Sequence, residues 1–446
     1  MTHQREYAMR TLSVWCGLAA ALLCGLANPA WGFAVVCALS LVQIALLRGP
    51  ATSLFLLVHY TTVLIYFSLA PSMQISMDAS FWGAGPVGPQ AYTLTLILLL
   101  LYLAGLEAAH LVPTRPTAPL PLRPQAPPDI AHPTLLLLLV GAGFAALWVR
   151  PDLNFVARGA PSEIPTAPFD VIVFSTLPKL IVLVGAVALA IRALRRRTAG
   201  AWFTAAAATT LAAIACNPVN TARQILLIGT LPLVLHAFGR TRRWTLAFII
   251  VGAIAGLGPV LNLISRGSMW GETLEVFPFS SDFDTTYVVA ALLERAPAPE
   301  LGWGRYLLSA VSFMLPRDLK LFPDYDPLGW GAVLNNFSQS NLSLAPFTTA
   351  YLDFGLAGPF LLGWLLSTFA SGLSRRIAAD SALTGSYLSA LVLLAAYVPL
   401  LRGPILGWGS FAASGLIAAL AVGLLSTGFA GAAPRAQHRG NAIAGA

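Results

Sequence analysis

Charge is scarce in this 446-residue chain: Asp, Glu, Lys and Arg together make up 10% of it, against about 25% in an ordinary soluble protein. With 57% hydrophobic residues, a water-soluble fold could not hide its apolar surface. The bilayer is the remaining solvent, and there the backbone must bond internally. Strand-period alternation is missing, which excludes an outer-membrane barrel and leaves helices. Cysteine is down to Cys16, Cys24, Cys37 and Cys216. All four sit within or at the edge of apolar runs without metal-ligand spacing, so neither a disulfide framework nor a zinc site is expected, and they read as small packing residues. No internal repeat is visible, which weakens an inverted-repeat transporter.

What is present is a series of apolar runs of membrane-spanning length. Twelve spans are expected, beginning near Thr11, Trp31, Thr52, Ala91, Pro133, Val171, Ala201, Ile225, Thr245, Pro346, Thr384 and Gly403. The seventh and eighth are short, with Asn217-Pro218 between them. The run from Leu12 to Leu26 follows Arg5 and Arg10 and has the look of a signal peptide; the spans directly behind it make it an uncleaved first helix. The formal charge of +8 comes from arginines at the ends of apolar runs, which is the positive-inside pattern and not a nucleic-acid footprint. The short turns Arg195-Arg196-Arg197, Arg240 to Arg243 and Arg375-Arg376 set the orientation, with both termini cytoplasmic.

The chain divides accordingly. Residues 1–112 are N-terminal transmembrane helices, 113–133 a cytoplasmic Pro-rich linker and 134–264 further spans. Residues 265–345 form one long polar loop on the non-cytoplasmic side, 346–428 the C-terminal spans and 429–446 a disordered cytoplasmic tail.

The long loop holds nine of the eighteen carboxylates, among them Asp282, Asp284 and Asp326. It also holds many aromatics, including Tyr287, Trp303 and Tyr325. Aromatic faces interleaved with carboxylates suit a sugar-binding cleft; they equally suit a segment lying on the bilayer interface. Histidine is missing from this loop: His3, His59, His110, His132, His236 and His438 all lie elsewhere, so a base acting there would be a carboxylate. Asp282-Phe283-Asp284 is a DxD tripeptide, too short to specify a metal by itself, and neither metal nor cofactor is expected. Arg223, Arg266, Arg317 and Arg402 stand at span ends on the side that positive charge avoids. Snorkelling explains single cases; four together suggest an anionic ligand at the outer interface, since guanidinium suits phosphate oxygens.

From Asn217 to about Leu425 the chain resembles the bacterial O-antigen polymerase family (Wzy), in its oligosaccharide repeat-unit polymerase branch. The resemblance rests on Asn217-Pro218 with Arg223, Phe283-Asp284 with Tyr287, Gly304-Arg305-Tyr306-Leu307, and Phe313 to Arg317. It continues through Pro323 to Gly331, then Asn341, Ser343, Tyr351, Phe354, Gly355 and Gly358, and ends on Arg402-Gly403. The family's lysine in the Pro323 to Gly331 stretch is missing. The resemblance implies a GT-C-type membrane glycosyltransferase fold in a bacterial inner membrane. It implies transfer of a growing glycan from undecaprenyl diphosphate to the non-reducing end of a new lipid-linked repeat, with a polysaccharide chain-length regulator as a possible partner. Arg223, Arg266, Arg317 and Arg402 would bind diphosphate. Asp284 would lead as base, ahead of Asp282 and Asp326, and Tyr287, Trp303, Tyr325 and Tyr351 would line the glycan cleft. An O-antigen ligase, which typically uses a loop histidine, and a lipid-linked glycan flippase or exporter are the alternatives.

Overall fold

The computed structural model describes residues 2–47, 53–81, 85–111, 132–149, 171–218, 221–238, 243–262, 277–295, 301–312, 344–379, 384–403 and 405–427. Among these the chain is helix and turn without strand. Nearly all of the Pro-rich linker, the C-terminal tail and much of the long loop lie outside the described residues, and with them Arg266, Arg317, Tyr325 and Asp326.

Among the described residues, seven helices are long and apolar enough to cross a membrane. In the numbering used below they are α1 (Thr2–Ala27, apolar over Ala8–Ala27), α2 (Pro29–Leu46), α3 (Leu54–Ser76), α4 (Pro89–Leu111), α6 (Ile172–Arg196), α9 (Arg243–Leu261) and α14 (Gly385–Arg402). Further helices stand beside them: α5 (His132–Phe144), α7 (Ala199–Ala215), α8 (Arg223–Phe238), α13 (Ala357–Ala379) and α15 (Ile405–Thr427). The long loop contributes α10 (Thr285–Arg295) and α11 (Arg305–Ser312), and α12 (Pro346–Phe354) precedes α13. Each of the twelve expected apolar segments thus carries a helix. The protein is an all-α, polytopic membrane protein.

Local chemistry sets the boundaries. Asn28 caps α2 by accepting a hydrogen bond from the Ala30 N–H at 2.9 Å, with Pro29 in the first turn where a missing N–H costs nothing. Thr384 caps α14 through the Tyr387 N–H at 3.1 Å. Helix α7 ends at Ala215, with Cys216 as its C-cap, and the chain resumes helix at Arg223, so the Asn217-Pro218 break falls where the sequence places it. A helix starts at Pro346, as expected, but it does not run on unbroken. The chain turns at Gly355, with φ +60, between α12 and α13. Gly358 then lies so close to α12 that a Cβ there would meet the Ala350 carbonyl.

The helices pack through small residues, since lipid supplies no hydrophobic drive between them and close van der Waals contact must do so instead. Helices α4 and α13 meet where a Cβ on Gly105 would strike the Phe360 carbonyl, and one on Gly363 the Tyr102 carbonyl. Helices α14 and α15 meet backbone to backbone at Gly385 and Gly423. Helix α14 packs against α8, α13 and α15 and is buried along most of its length. Its ends therefore serve as reference points: one is Gly385, the other Arg402.

Gly105→Ala is expected to push α4 from α13 and to destabilise the protein by about 2 kcal/mol, the usual cost of overpacking a tight contact. Gly252→Ala, where a Cβ meets nothing within 4 Å, is the control. Thermal unfolding of the two variants in detergent checks this; equal melting temperatures would remove the close-contact account.

Candidate functional site

At the Arg402 end of α14, three segments far apart in sequence converge. Arg223 is the first residue of α8, Arg402 the last of α14, and Asp282 sits in a single 3-10 turn, Ser281–Phe283, just ahead of α10. Asp282 Oδ2 accepts a short hydrogen bond from Arg223 Nη1, and Oδ1 lies 3.0 Å from Arg402 Nη2. The carboxylate is 4% exposed and each guanidinium 17%. Arg223 also donates to the Gly258 carbonyl in α9, at 3.3 Å. Asp284 is buried and close enough to act electrostatically on Arg402. The positive end of the α8 dipole adds to Arg223, and with Arg402 it balances the two buried carboxylates of this corner.

The position of Asp282 is dictated by its neighbour in the DxD. Phe283 is fully buried. Its ring stacks on Tyr66 of α3 with centroids 5.4 Å apart and meets Phe277 edge-on at 4.9 Å. Gln74, at the end of α3, donates to the Pro278 and Phe283 carbonyls at 2.6 and 3.1 Å. Ser280 accepts from the Asp282 N–H at 3.3 Å and caps the 3-10 turn. Thr285 donates to the Arg402 carbonyl at 3.3 Å. A phenyl ring plugged between helices and flanked by two carboxylates places those carboxylates at the membrane-helix ends where the arginines are.

Beneath the ion pair lies a cavity of about 140 Å³. Arg223, Arg402, Asp282 and the Tyr66 side chain form its polar wall, and Arg402 lies over the Tyr66 ring at 6.0 Å. The other walls are mainly aliphatic, from Leu226 and Leu227 of α8, Ile254 and Leu257 of α9, and Val398 of α14. Two stretches of π-helix border it: Ile65–Leu69, which contains Tyr66, and Ala253–Leu257. Such wide turns recur at functional sites because they displace side chains from the regular helical register. The arrangement offers cationic groups at one end and a slot for a chain of hydrocarbon along the rest.

Other residues expected at the site are placed differently. Tyr287 is 1% exposed. It packs edge-on against Phe81 at 5.4 Å and donates its hydroxyl to the Gly85 carbonyl at 2.5 Å. Burial raises its phenol above the usual range, an effect that nearby Arg295 offsets in part. Tyr287 therefore ties α10 to the segment before α4, a job shared by Glu294, which accepts from the Gly88 N–H at 2.7 Å. Trp303, in contrast, is 74% exposed and holds a left-handed φ of +52, an unfavourable conformation for a bulky residue. Asp353 imposes it. This fully buried carboxylate accepts from the Tyr306 and Leu307 N–H groups at 3.1 and 2.9 Å, while its own carbonyl accepts from the Trp303 N–H at 3.0 Å. Tyr351 is partly buried one turn before the Gly355 corner.

Sequence reasoning missed Tyr66, Gln74 and the structural role of Asp353. Tyr66 lies inside an apolar run where nothing marks it. Gln74 at a span end and Asp353 in an apolar helix were visible as polar residues in apolar surroundings.

Glu107, an acidic residue inside a membrane-length helix, is bound by Arg10 at 2.7 and 3.1 Å and by the Tyr60 hydroxyl at 2.7 Å, all buried. It lines neither this cavity nor the larger one described below. Comparison with protein-family models, curated proteins and solved structures gave no match.

Removing one arginine leaves Asp282 buried with half its pairing. Arg402→Ala is expected to cost about 3 kcal/mol of stability, and adding Asp282→Asn should return part of it. A thermal double-mutant cycle in detergent measures the coupling; strictly additive losses would mean that the pair does not interact energetically.

Proposed function

We propose that the protein is a membrane glycosyltransferase that polymerises lipid-linked oligosaccharide repeats, in the manner of the O-antigen polymerases it resembles. The observation that carries this reading is the cavity at the Arg402 end of α14. Two guanidinium groups stand over a mainly aliphatic slot between helices, the shape and polarity of a polyprenyl diphosphate at the membrane surface. On this reading there are twelve spans in a GT-C-type arrangement in a bacterial inner membrane, with the loop and the Arg402 end facing the periplasm.

The donor, a glycan on undecaprenyl diphosphate, lays the start of its prenyl chain along Leu226, Leu227, Ile254 and Leu257. Its diphosphate takes the place of the Asp282 carboxylate between Arg223 and Arg402. The acceptor hydroxyl at the non-reducing end of a second lipid-linked repeat attacks the anomeric carbon. A new glycosidic C–O bond forms as the bond to the phosphate oxygen breaks, and the hydroxyl proton passes to a carboxylate. Asp284 suits that base better than Asp282, because it lies buried beside Arg402 and need not move when the diphosphate displaces the Asp282 carboxylate. The arginines stabilise the charge that gathers on the departing diphosphate, where preorganised donors count most. Exposed Trp303, fixed by Asp353, offers a face for stacking sugar. Neither metal nor nucleotide enters this scheme.

Arg223→Ala and Arg402→Ala are each expected to lower the rate of chain extension by about 100-fold or more. In a polymerase-null host carrying lipid-linked repeats, surface polysaccharide should collapse to single repeats at normal protein level. Full-length polymer from both variants would sink the diphosphate role. Purified protein given lipid-linked repeat alone should produce a ladder of products; repeat that only changes leaflet in proteoliposomes would indicate a flippase instead.

Trp303→Ala is expected to raise KM for the acceptor several-fold with little change in kcat, since an aromatic–ring contact is worth about 1–3 kcal/mol where measured for stacked planar ligands. Unchanged KM would remove Trp303 from the glycan path.

A further inference from the structure

Helix α14 carries a second cavity at its other end. Its 18 residues span about 27 Å at 1.5 Å per residue, close to the roughly 30 Å thickness of the hydrocarbon core. The two cavities therefore sit near opposite faces of the membrane. The second is larger, about 700 Å³, and lies among α13, α14 and α15. Phe369, Leu420 and Leu424 border it and are exposed on the outside of the bundle, where acyl chains are the surrounding medium.

Four polar side chains break this apolar lining; Thr368 donates to the Trp364 carbonyl at 2.9 Å and Ser386 bonds with the Thr384 hydroxyl at 3.2 Å, which leaves Arg376 and Ser389 to face a ligand. Arg376, near the end of α13, is exposed, and no carboxylate of the described residues pairs with it. Ser389, one turn inside α14, is 8% exposed; its hydroxyl is buried and has no hydrogen-bond partner among the described residues. A buried hydroxyl without a partner is costly in hydrocarbon, and a guanidinium at the rim of an apolar groove is matched to a phosphate.

We propose that this cavity is a specific site for one anionic phospholipid. One acyl chain lies between α13 and α15, the headgroup phosphate binds Arg376, and a glycerol ester carbonyl, deeper than the phosphate, accepts from Ser389. Basic pockets between transmembrane helices are where anionic headgroups bind. The chain's own C-terminal residues are a poor occupant: residues 428–446 contain Arg435 and Arg439 and no Asp or Glu, so their charge opposes Arg376. A second copy pressed on the groove would bury that guanidinium against an apolar surface.

Native mass spectrometry of the full chain in mild detergent tests this with phosphatidylglycerol and phosphatidylcholine of identical acyl chains at equal concentration. The wild type should retain one phosphatidylglycerol with a preference of about fivefold, the effect of a single basic residue near an anionic headgroup. Arg376→Gln should bring the two lipids to near parity. Arg196→Gln, outside the groove, should leave the preference intact. Gly372→Leu projects into open space within the cavity, since a Cβ there meets nothing within 4 Å; it should weaken retention of both lipids. Equal retention of the two lipids by the wild type, an undiminished preference in Arg376→Gln, or a lipid-free dimer would each overturn the proposal. Polymer synthesis is not the readout, so the result stands apart from the assignment of the other cavity.

Discussion

A carboxylate taken out of water costs several kcal/mol unless cations and donors meet it where it lies. Asp282 meets that demand with two guanidinium groups brought by different helices, Arg223 from the start of α8 and Arg402 from the end of α14. The pairing docks the long loop onto the membrane helices, closes the roof of the smaller cavity and sets the charge of that corner. It works because Phe283 and Gln74 hold the turn in place: the phenyl ring fills an apolar slot beside Tyr66, and the amide accounts for two loop carbonyls. With those supports the carboxylate is aimed; without them the buried charge would be uncompensated.

The same physics appears deeper in the bundle, to a different end. Arg10, Glu107 and Tyr60 are bonded to one another, and His59, Tyr397 and Tyr102 share hydrogen bonds of 2.7 Å nearby. These groups join α1, α3, α4 and α14 without lining either cavity. Polar side chains between transmembrane helices act as glue when their partners are other helices. At the Arg402 end the paired groups also border a cavity.

Much of this was legible beforehand. Hydropathy located the helices, and the boundary arginines and the DxD were visible as residues out of keeping with their surroundings. Arg223 and Arg402 do come together with Asp282. What the pattern could not say was that Asp282 would serve as their counter-ion, because the three residues are separated by 59 and 120 positions and nothing local couples them. The aromatics of the loop divide for the same reason. Tyr287 and Trp303 look alike in composition, yet one is buried against Phe81 and Gly85 and the other exposed by the Asp353 clamp. Which face of a short loop helix turns inward is decided by what it packs against.

The sequence by itself determined the solvent and the secondary structure: a chain this apolar must live in lipid, and in lipid its backbone must close into helices. It also determined the inventory of charges at the helix ends. Only the tertiary structure decided which charges share a site, where α12 turns into α13, and that α14 has a cavity at each end. Those features depend on contacts between segments remote in sequence. Helix packing through glycines and the pairing of buried charges is a property of surfaces brought together, and no single segment encodes it.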